Sequence, residues 1–378
     1  MQVDQPLPLL GSLSPAQFMK RYWHKKPLLI RQAIPGMQPL LDRTELLYLA
    51  ARDDVQSRLV IQQGISAKSP WRMRHGPFAR RSLPPLKQPG WTLLVQGVDL
   101  LDARVQALRE QFRFVPDARL DDIMISYASD GGGVGPHFDS YDVFLLQVQG
   151  RRRWRIGRQK DLTLQAGMPL KILADFQPEQ EFVLEAGDML YLPPRYAHDG
   201  VAQGECMTYS IGFRAPDQVE LAQSLLQGMA EQLADVMASK RYRDPGQTAA
   251  AHPAHIPAEL QAFAQEALHQ ALRDPHLLAR TLGEQLSEPS AAVWFQPPDT
   301  VTGLQRGVCL DRGTRMLYDD RHVFMNGESF QASGRDARLV RKLADCHFLT
   351  ASEFARLSPE AADLLGQWLD CGWLQPLE

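Results

Sequence analysis

Cysteine is scarce in this chain of 378 residues: Cys206, Cys309, Cys346 and Cys371, with no C-x-x-C spacing among them. That argues against a disulfide-stapled secreted scaffold and against a thiolate zinc site, and it suits free thiols in a reducing compartment. Long apolar runs are also missing, so nothing reaches the length that spans a bilayer. The opening M-Q-V-D-Q-P-L-P-L-L is too short and too broken by proline for a signal peptide. A cytoplasmic protein is expected. Nor does either charge sign dominate: 41 basic and 44 acidic residues leave a net charge of -3, without the global basic field that nucleic-acid binders often carry. What is plentiful is apolar material, 44% of the chain, enough for a core and more than one domain.

The most informative stretch runs from Ile123 to Trp154. Two β-rich segments, I-M-I-S-Y-A-S and Y-D-V-F-L-L-Q-V-Q, flank a Gly-rich corner, D-G-G-G-V-G-P, that ends on His137-Phe138-Asp139. If His137 begins a strand, His137 and Asp139 project to one face and Phe138 to the other. A lone H-x-D pair arises readily by chance. Here a second unit follows about sixty residues later, F-V-L-E-A-G-D-M-L-Y-L-P-P-R-Y-A-His198, in which Glu185 to Asp188 read as a tight turn between two strands. Two imidazoles and one carboxylate, with the remaining positions open, suit a non-haem Fe(II) oxygenase. A closed structural zinc site wants a fourth ligand, usually a thiolate, and no cysteine lies near His137.

Gly150-Arg151-Arg152-Arg153-Trp154 follows the apolar strand Val143 to Val148. Alternation puts Arg152 on the face of Trp154, and Arg151 and Arg153 on the other. Arg151 and Arg153 read as a solvated basic edge strand. Arg152 reads as the planar fork that grips a ligand carboxylate, because a guanidinium held inside a barrel is costly without a partner.

The series H-F-D, G-R-R-R-W, P-P-R-Y-A-H resembles the JmjC branch of the 2-oxoglutarate-dependent oxygenases. The entry motif F-M-K-R-Y-W-H-K-K-P-L-L-I (Phe18 to Ile30) and the phrase G-G-G-V-G-P-H-F-D-S-Y-D-V-F are similar to the bacterial ribosomal oxygenases, over about residues 12 to 215 plus the C-terminal architecture. The resemblance implies an α+β chain with a mainly β core: a double-stranded β-helix (cupin-like JmjC) barrel, a helical dimerisation region and a winged-helix-like domain. The corresponding bounds are 1–215, 216–290 and 291–378. It implies His137, Asp139 and His198 as Fe(II) ligands, Arg152 on the distal carboxylate of 2-oxoglutarate, and Ser210 as a second cosubstrate contact. Many JmjC enzymes carry Lys where this chain has Arg152. The implied activity consumes O2, releases succinate and CO2, and hydroxylates an arginine β-carbon on large-subunit ribosomal protein number sixteen; eukaryotic relatives act on a histidine of other large-subunit proteins.

An arginine substrate calls for carboxylates and aromatic faces at the pocket mouth. Tyr127, Asp130, Tyr141 and Asp142 are available near the metal strand, with ordinary loop and surface carboxylates as the alternative for the two aspartates. Other readings stay open: a histidine hydroxylase or a demethylase of another basic protein, a cupin enzyme without cosubstrate, or a non-catalytic cupin and winged-helix binding protein.

Along the rest of the chain, Ser14-Pro15 opens a helix to about Trp23, Asp42 caps a helix over 43–50, and strands are expected near 28–31, 55–62 and 91–96. The basic, aromatic segment Trp71 to Arg81 reads as a solvated hairpin rather than a nucleic-acid patch. Apolar stripes predict helices over 219–239, 259–272 and 276–286. These cannot bury their apolar faces alone, which together with the resemblance favours a homodimer. The last segment predicts a small α+β unit with a turn at Asn326-Gly327. Arg338, Arg341 and Lys342 there are offset by Asp336, Asp345 and Glu353, so direct nucleic-acid binding is not expected.

Overall fold

The computed structural model describes residues 2–62, 71–298 and 306–377. The chain separates into two compact units, one ending at Ala215 and the other starting at Pro216.

The first unit contains α1 (Pro15–Arg21), β1 (Leu28–Ile30), α2 (Arg43–Ala50), β2 (Ser57–Gln62), β3 (Trp71–His75), β4 (Trp91–Val95), α3 (Val98–Leu101), α4 (Ala103–Glu110), β5 (Leu120–Ala128), β6 (Val143–Gly157), β7 (Gln180–Glu185), β8 (Met189–Leu192) and β9 (Ala197–Phe213). Both expected caps are present: Ser14 and Asp42 accept from the N3 amides of α1 and α2, whose Gln17 and Glu45 side chains reach back. Among the described residues the strands form one sheet in the order β1, β8, β6, β9, β5, β4, β2, β3, with β7 also on β6. Every pairing is antiparallel. The strand order is that of a cupin-like barrel, in which the long strands β6 and β9 pair along their whole length.

Strand alternation gives the sheet two faces. The outer face is the larger core: Phe144, Tyr191, Tyr209 and Phe213 pack under α1 and the segment that follows it. Phe18 meets Tyr191 edge-on at 4.9 Å and Phe144 at 5.4 Å, and Trp23 meets Phe213 at 5.1 Å. The entry motif is therefore an anchor, and each such buried aromatic contributes about 2–3 kcal/mol. The inner face carries Val143, Leu145, Trp154, Ile156, Leu184, Leu190 and Leu192.

One expectation is met here and another changes. Glu185 to Asp188 do form a turn, closed by Asp188 N donating to Glu185 O at 2.9 Å. Yet β7 and β8 do not pair with each other; both lie along β6, so the turn is an interruption in one long partner strand. The register of β6 against β9 shifts on either side of Gln149, and Gly150 is left-handed at φ 64°, so both sides of that ladder bend together. Second, the arginine tract is not on an edge, because β6 lies between β7 and β8 on one side and β9 on the other. Arg151 is nevertheless exposed, as a solvated face would have it. β3 is one edge, and there Arg72, Arg74 and His75 are exposed, as suits a strand end that resists further pairing.

The second unit contains α5 (Gln218–Val236), α6 (Ala258–Arg273), α7 (Pro275–Ser287), β10 (Gly307–Leu310), β11 (Met316–Tyr318), β12 (His322–Met325), β13 (Glu328–Gln331), α8 (Gly334–Cys346), β14 (Phe348–Thr350), α9 (Ala351–Phe354), α10 (Pro359–Asp370) and β15 (Leu374–Pro376). β11, β12 and β13 make one small antiparallel sheet, and β14, β10 and β15 another. Asn326 and Gly327, both left-handed, make the two-residue turn between β12 and β13. Helix α7 belongs to two neighbours at once: Gly283 admits the Phe324 ring of β12, while Arg280 and Gln285 bond Gln232 and Ser224 of α5.

Candidate metal centre and cosubstrate pocket

His137 is not a strand residue. It forms an isolated antiparallel bridge with His198, each amide donating to the other's carbonyl at 2.9 and 2.8 Å. The bridge achieves what a strand would have done, setting the two rings 4.2 Å apart. Each Nδ1 lies 2.9 Å from a backbone carbonyl, Gly135 O for His137 and Tyr196 O for His198. Those bonds fix the tautomer and leave both Nε2 lone pairs for a ligand. Asp139 Oδ2 stands 3.7 Å from His198 Nε2, and its backbone carbonyl accepts from Arg195 N at 2.7 Å. One donor atom from each residue lies within 4.8 Å of the other two. Burial above all, with His137 adding to it, pushes the His198 imidazole down to about 4, so it stays neutral and ready to bind a metal. The set of two imidazoles and one carboxylate fits Fe(II) with exchangeable positions left over.

The Gly-rich corner is dictated by crowding. A Cβ on Gly132 would lie 2.3 Å from Trp91 O, and one on Gly133 would lie 2.7 Å from Gly200 O. Gly135 is left-handed, with the Trp71 and Ile172 side chains against it.

Arg152 points inward, 5% exposed, and Nη1 donates to Ser126 Oγ at 3.2 Å. Its Nε and Nη2 are buried with no hydrogen-bond partner among the described residues. Leaving such donors unmatched costs about 1–3 kcal/mol each, more where the group is charged. A fork held on one side by a neutral hydroxyl, and otherwise open, is a receptor for a carboxylate. Ser126 escaped the sequence reading, although it stands two residues from Met124 on one face of β5. Ser210 faces inward opposite Met124 and Leu145, next but one to Thr208, whose hydroxyl bonds Gln147 at 2.8 Å.

The residues assigned to the pocket mouth separate. Tyr127 turns away from Ser126 into the outer core, where its hydroxyl donates to Glu205. Asp142 is fully buried, accepting from Tyr191 OH at 2.5 Å and lying 2.8 Å from His24 Nε2. His24, from the entry motif, thus holds the loop that carries Asp139. Asp130 is exposed and accepts from Gly204 N at 2.7 Å. These three are structural, because strand alternation and turn closure claim their side chains. Tyr141 is different: 39% of its surface is exposed, while burial of its hydroxyl, then the charges of Asp139 and Asp122, raise its pKa.

Asp122 was missed. It shares the inner face of β5 with Met124 and Ser126, and its Oδ2 accepts from Gly97 N at 2.8 Å and Gln96 Nε2 at 2.9 Å. Burial, then Asp99 and Asp121, push it up to about 6. Arg58 reaches Gln96 Oε1 at 3.2 Å and Met124 Sδ at 3.8 Å beside it. The only hint in the sequence was the alternation D-I-M-I-S, which becomes informative once Ser126 is known to face inward.

Known proteins share this arrangement. Residues 107–221 match the JmjC domain family, and residues 267–375 match the ROXA-like winged helix family. The chain is 35% identical over 349 residues to the ribosomal protein uL16 3-hydroxylase of Escherichia coli, covering 89% of this chain and 90% of that one. It is 28% identical over 391 residues to a probable ribosomal oxygenase of Haemophilus influenzae, covering 96% of each. The X-ray structure of Escherichia coli YcfD superposes with a TM-score of 0.85 at 30% identity, over 96% of this chain and 98% of that one. A YcfD structure in complex with cobalt and 2-oxoglutarate gives a TM-score of 0.80 at 31% identity, over 95% and 97%.

Proposed function

The chain belongs to the JmjC ribosomal oxygenases, and from that premise we propose that it hydroxylates the β-carbon of an arginine in the large-subunit ribosomal protein uL16. It is a 2-oxoglutarate- and Fe(II)-dependent protein hydroxylase. The observation that carries the reading is the buried fork of Arg152, unmatched on two nitrogens, inside the barrel that also gathers His137, Asp139 and His198.

Bound Fe(II), with 2-oxoglutarate and O2, supplies oxidative decarboxylation to succinate and CO2 and delivers one oxygen atom to a C–H bond. His137, Asp139 and His198 would hold the metal, with Gly135 O and Tyr196 O keeping each imidazole aimed. Arg152, braced by Ser126, would take the distal carboxylate of the cosubstrate, with Ser210 as a further contact on the same face. The apolar residues around Trp154 exclude water from that end.

Such an oxidant is unselective, so specificity rests on which C–H bond is held in reach. Asp122 supplies the carboxylate for a guanidinium, Tyr141 an aromatic face beside Asp139, and the Met124 thioether a soft wall between Asp122 and Ser126. A carboxylate and an aromatic face together favour a guanidinium over an imidazole. The test is mass spectrometry of uL16 from cells with and without this chain, which should reveal one added oxygen on an arginine. Added oxygen on a histidine, or on no residue of uL16, would overturn the assignment.

Two further features belong to this reading. A homodimer through α5 and α6 would cover leucines that the second unit leaves bare, among them Leu226, Leu260, Leu268 and Leu272. A cytoplasmic location follows from a ribosomal substrate, and no helix of the described residues is long and apolar enough to cross a membrane.

A further inference from the structure

We propose that the indole N–H of Trp154 donates directly to the distal carboxylate of bound 2-oxoglutarate, making a third donor beside the two open nitrogens of Arg152. The inference rests on the oxygenase reading and adds a contact to it. Trp154 follows Arg152 at the next inward position of β6, and the guanidinium carbon lies 5.7 Å from its ring centroid. The guanidinium thus lies over the indole, and the two side chains border the same stretch of the inner face.

The ring cannot turn elsewhere. A Cβ on Gly200, its cross-strand partner, would lie 2.6 Å from the six-membered ring, so the indole lies flat on that glycine. The His198 ring stands 5.8 Å away on another side. Trp154 is 5% exposed, and Nε1 is buried with no partner among the described residues. The side chains of Ile156, Leu184 and Leu190 packed with it carry no acceptor. A buried indole N–H normally finds one. Together with Arg152 Nε and Nη2, three orphaned donors thus stand within one small region, and a carboxylate is the ligand chemistry that satisfies all three.

The test is Trp154→Phe, which keeps an aromatic ring of similar shape and deletes the donor. Calorimetry with Co(II)-loaded protein reads the affinity for 2-oxoglutarate, beside the affinity for Co(II) alone and the melting temperature. The expected result is cosubstrate binding weakened by about tenfold, the loss of one hydrogen bond to a charged group, with Co(II) affinity and melting temperature unchanged. Kinetically, the KM for 2-oxoglutarate rises and the KM for the protein substrate does not. Unchanged cosubstrate affinity in Trp154→Phe overturns the proposal. If that variant does not fold, the indole proton resonance of Trp154 in the unsubstituted protein decides: a downfield shift on adding 2-oxoglutarate supports the contact, and a static resonance overturns it. Failure of the unsubstituted protein to bind 2-oxoglutarate would instead remove the oxygenase reading.

Discussion

Asp122 shows how one residue ties stability to recognition. Its ionised form is disfavoured by burial and by Asp99 and Asp121, which lifts it to about 6. The folded carboxyl therefore holds its proton over a range where an unfolded one has lost it. Its stabilising contribution is complete below the ordinary carboxylate pKa and is lost as pH rises through about 6. Above that, keeping the charge costs on the order of 3 kcal/mol. A guanidinium recovers part of this on binding. Asp122→Asn should accordingly melt higher than the unsubstituted protein at pH 8 while its peptide KM rises at least about tenfold, the loss of a charged hydrogen bond. The unsubstituted protein's peptide KM should climb as pH falls through about 6, and the variant's should not, which steady-state kinetics across pH 5 to 8 would establish. At the other end of the pocket, Arg152→Ala should raise the KM for 2-oxoglutarate by about a hundredfold, with Arg152→Lys recovering part of it. The H-x-D pair and Arg152 were legible because spacing and alternation survive in any strand-like setting. Asp122 was not, since its direction depends on the register of β5 against β9, and Asp142 misled because its closeness in sequence to Asp139 says nothing about which face it serves.

At the scale of elements, the long strand β6 is the organising piece, and its bend at Gly150 lets one strand carry both the outer core and the Arg152 fork. A Cβ at Gly150 would meet Glu205 O at 2.1 Å on a backbone already left-handed. Gly150→Ala should destabilise the first unit by about 2–4 kcal/mol, measured by denaturant unfolding. Gly200→Val, whose Cβ would meet the confined Trp154 ring at 2.6 Å, should destabilise the first unit, read as a lower melting temperature. Helices α1 and α2 were readable from their caps, and the turn after β12 from Asn-Gly, since these signals are local. The strands β10, β13 and β14 were not, being three or four residues long and defined by their partners. Likewise the Glu185 turn was seen but its topology was not, because a turn motif does not reveal whether its flanking strands pair with each other or along a third.

On the scale of the whole molecule, the second unit leaves apolar surface without cover. Leu268 and Leu272 of α6 are 65% and 54% exposed, and of that helix only Ala271 is buried among the described residues. Replacing both leucines with Glu should convert a dimer to a monomer, as read by sedimentation velocity, without altering 2-oxoglutarate affinity. An unchanged mass would reject the dimer interface assigned to α6.

Tyr191, Asp142 and His24 form a clasp: the tyrosine hydroxyl joins the buried carboxylate and also receives the His24 amide at 2.9 Å. Its consequence is that the front of the polypeptide latches the loop that bears Asp139. Trimming the chain as far as Pro27 would take Phe18 and Trp23 out of the larger core together with His24, so the Asp139 loop would lose its latch and the sheet its cover in one cut.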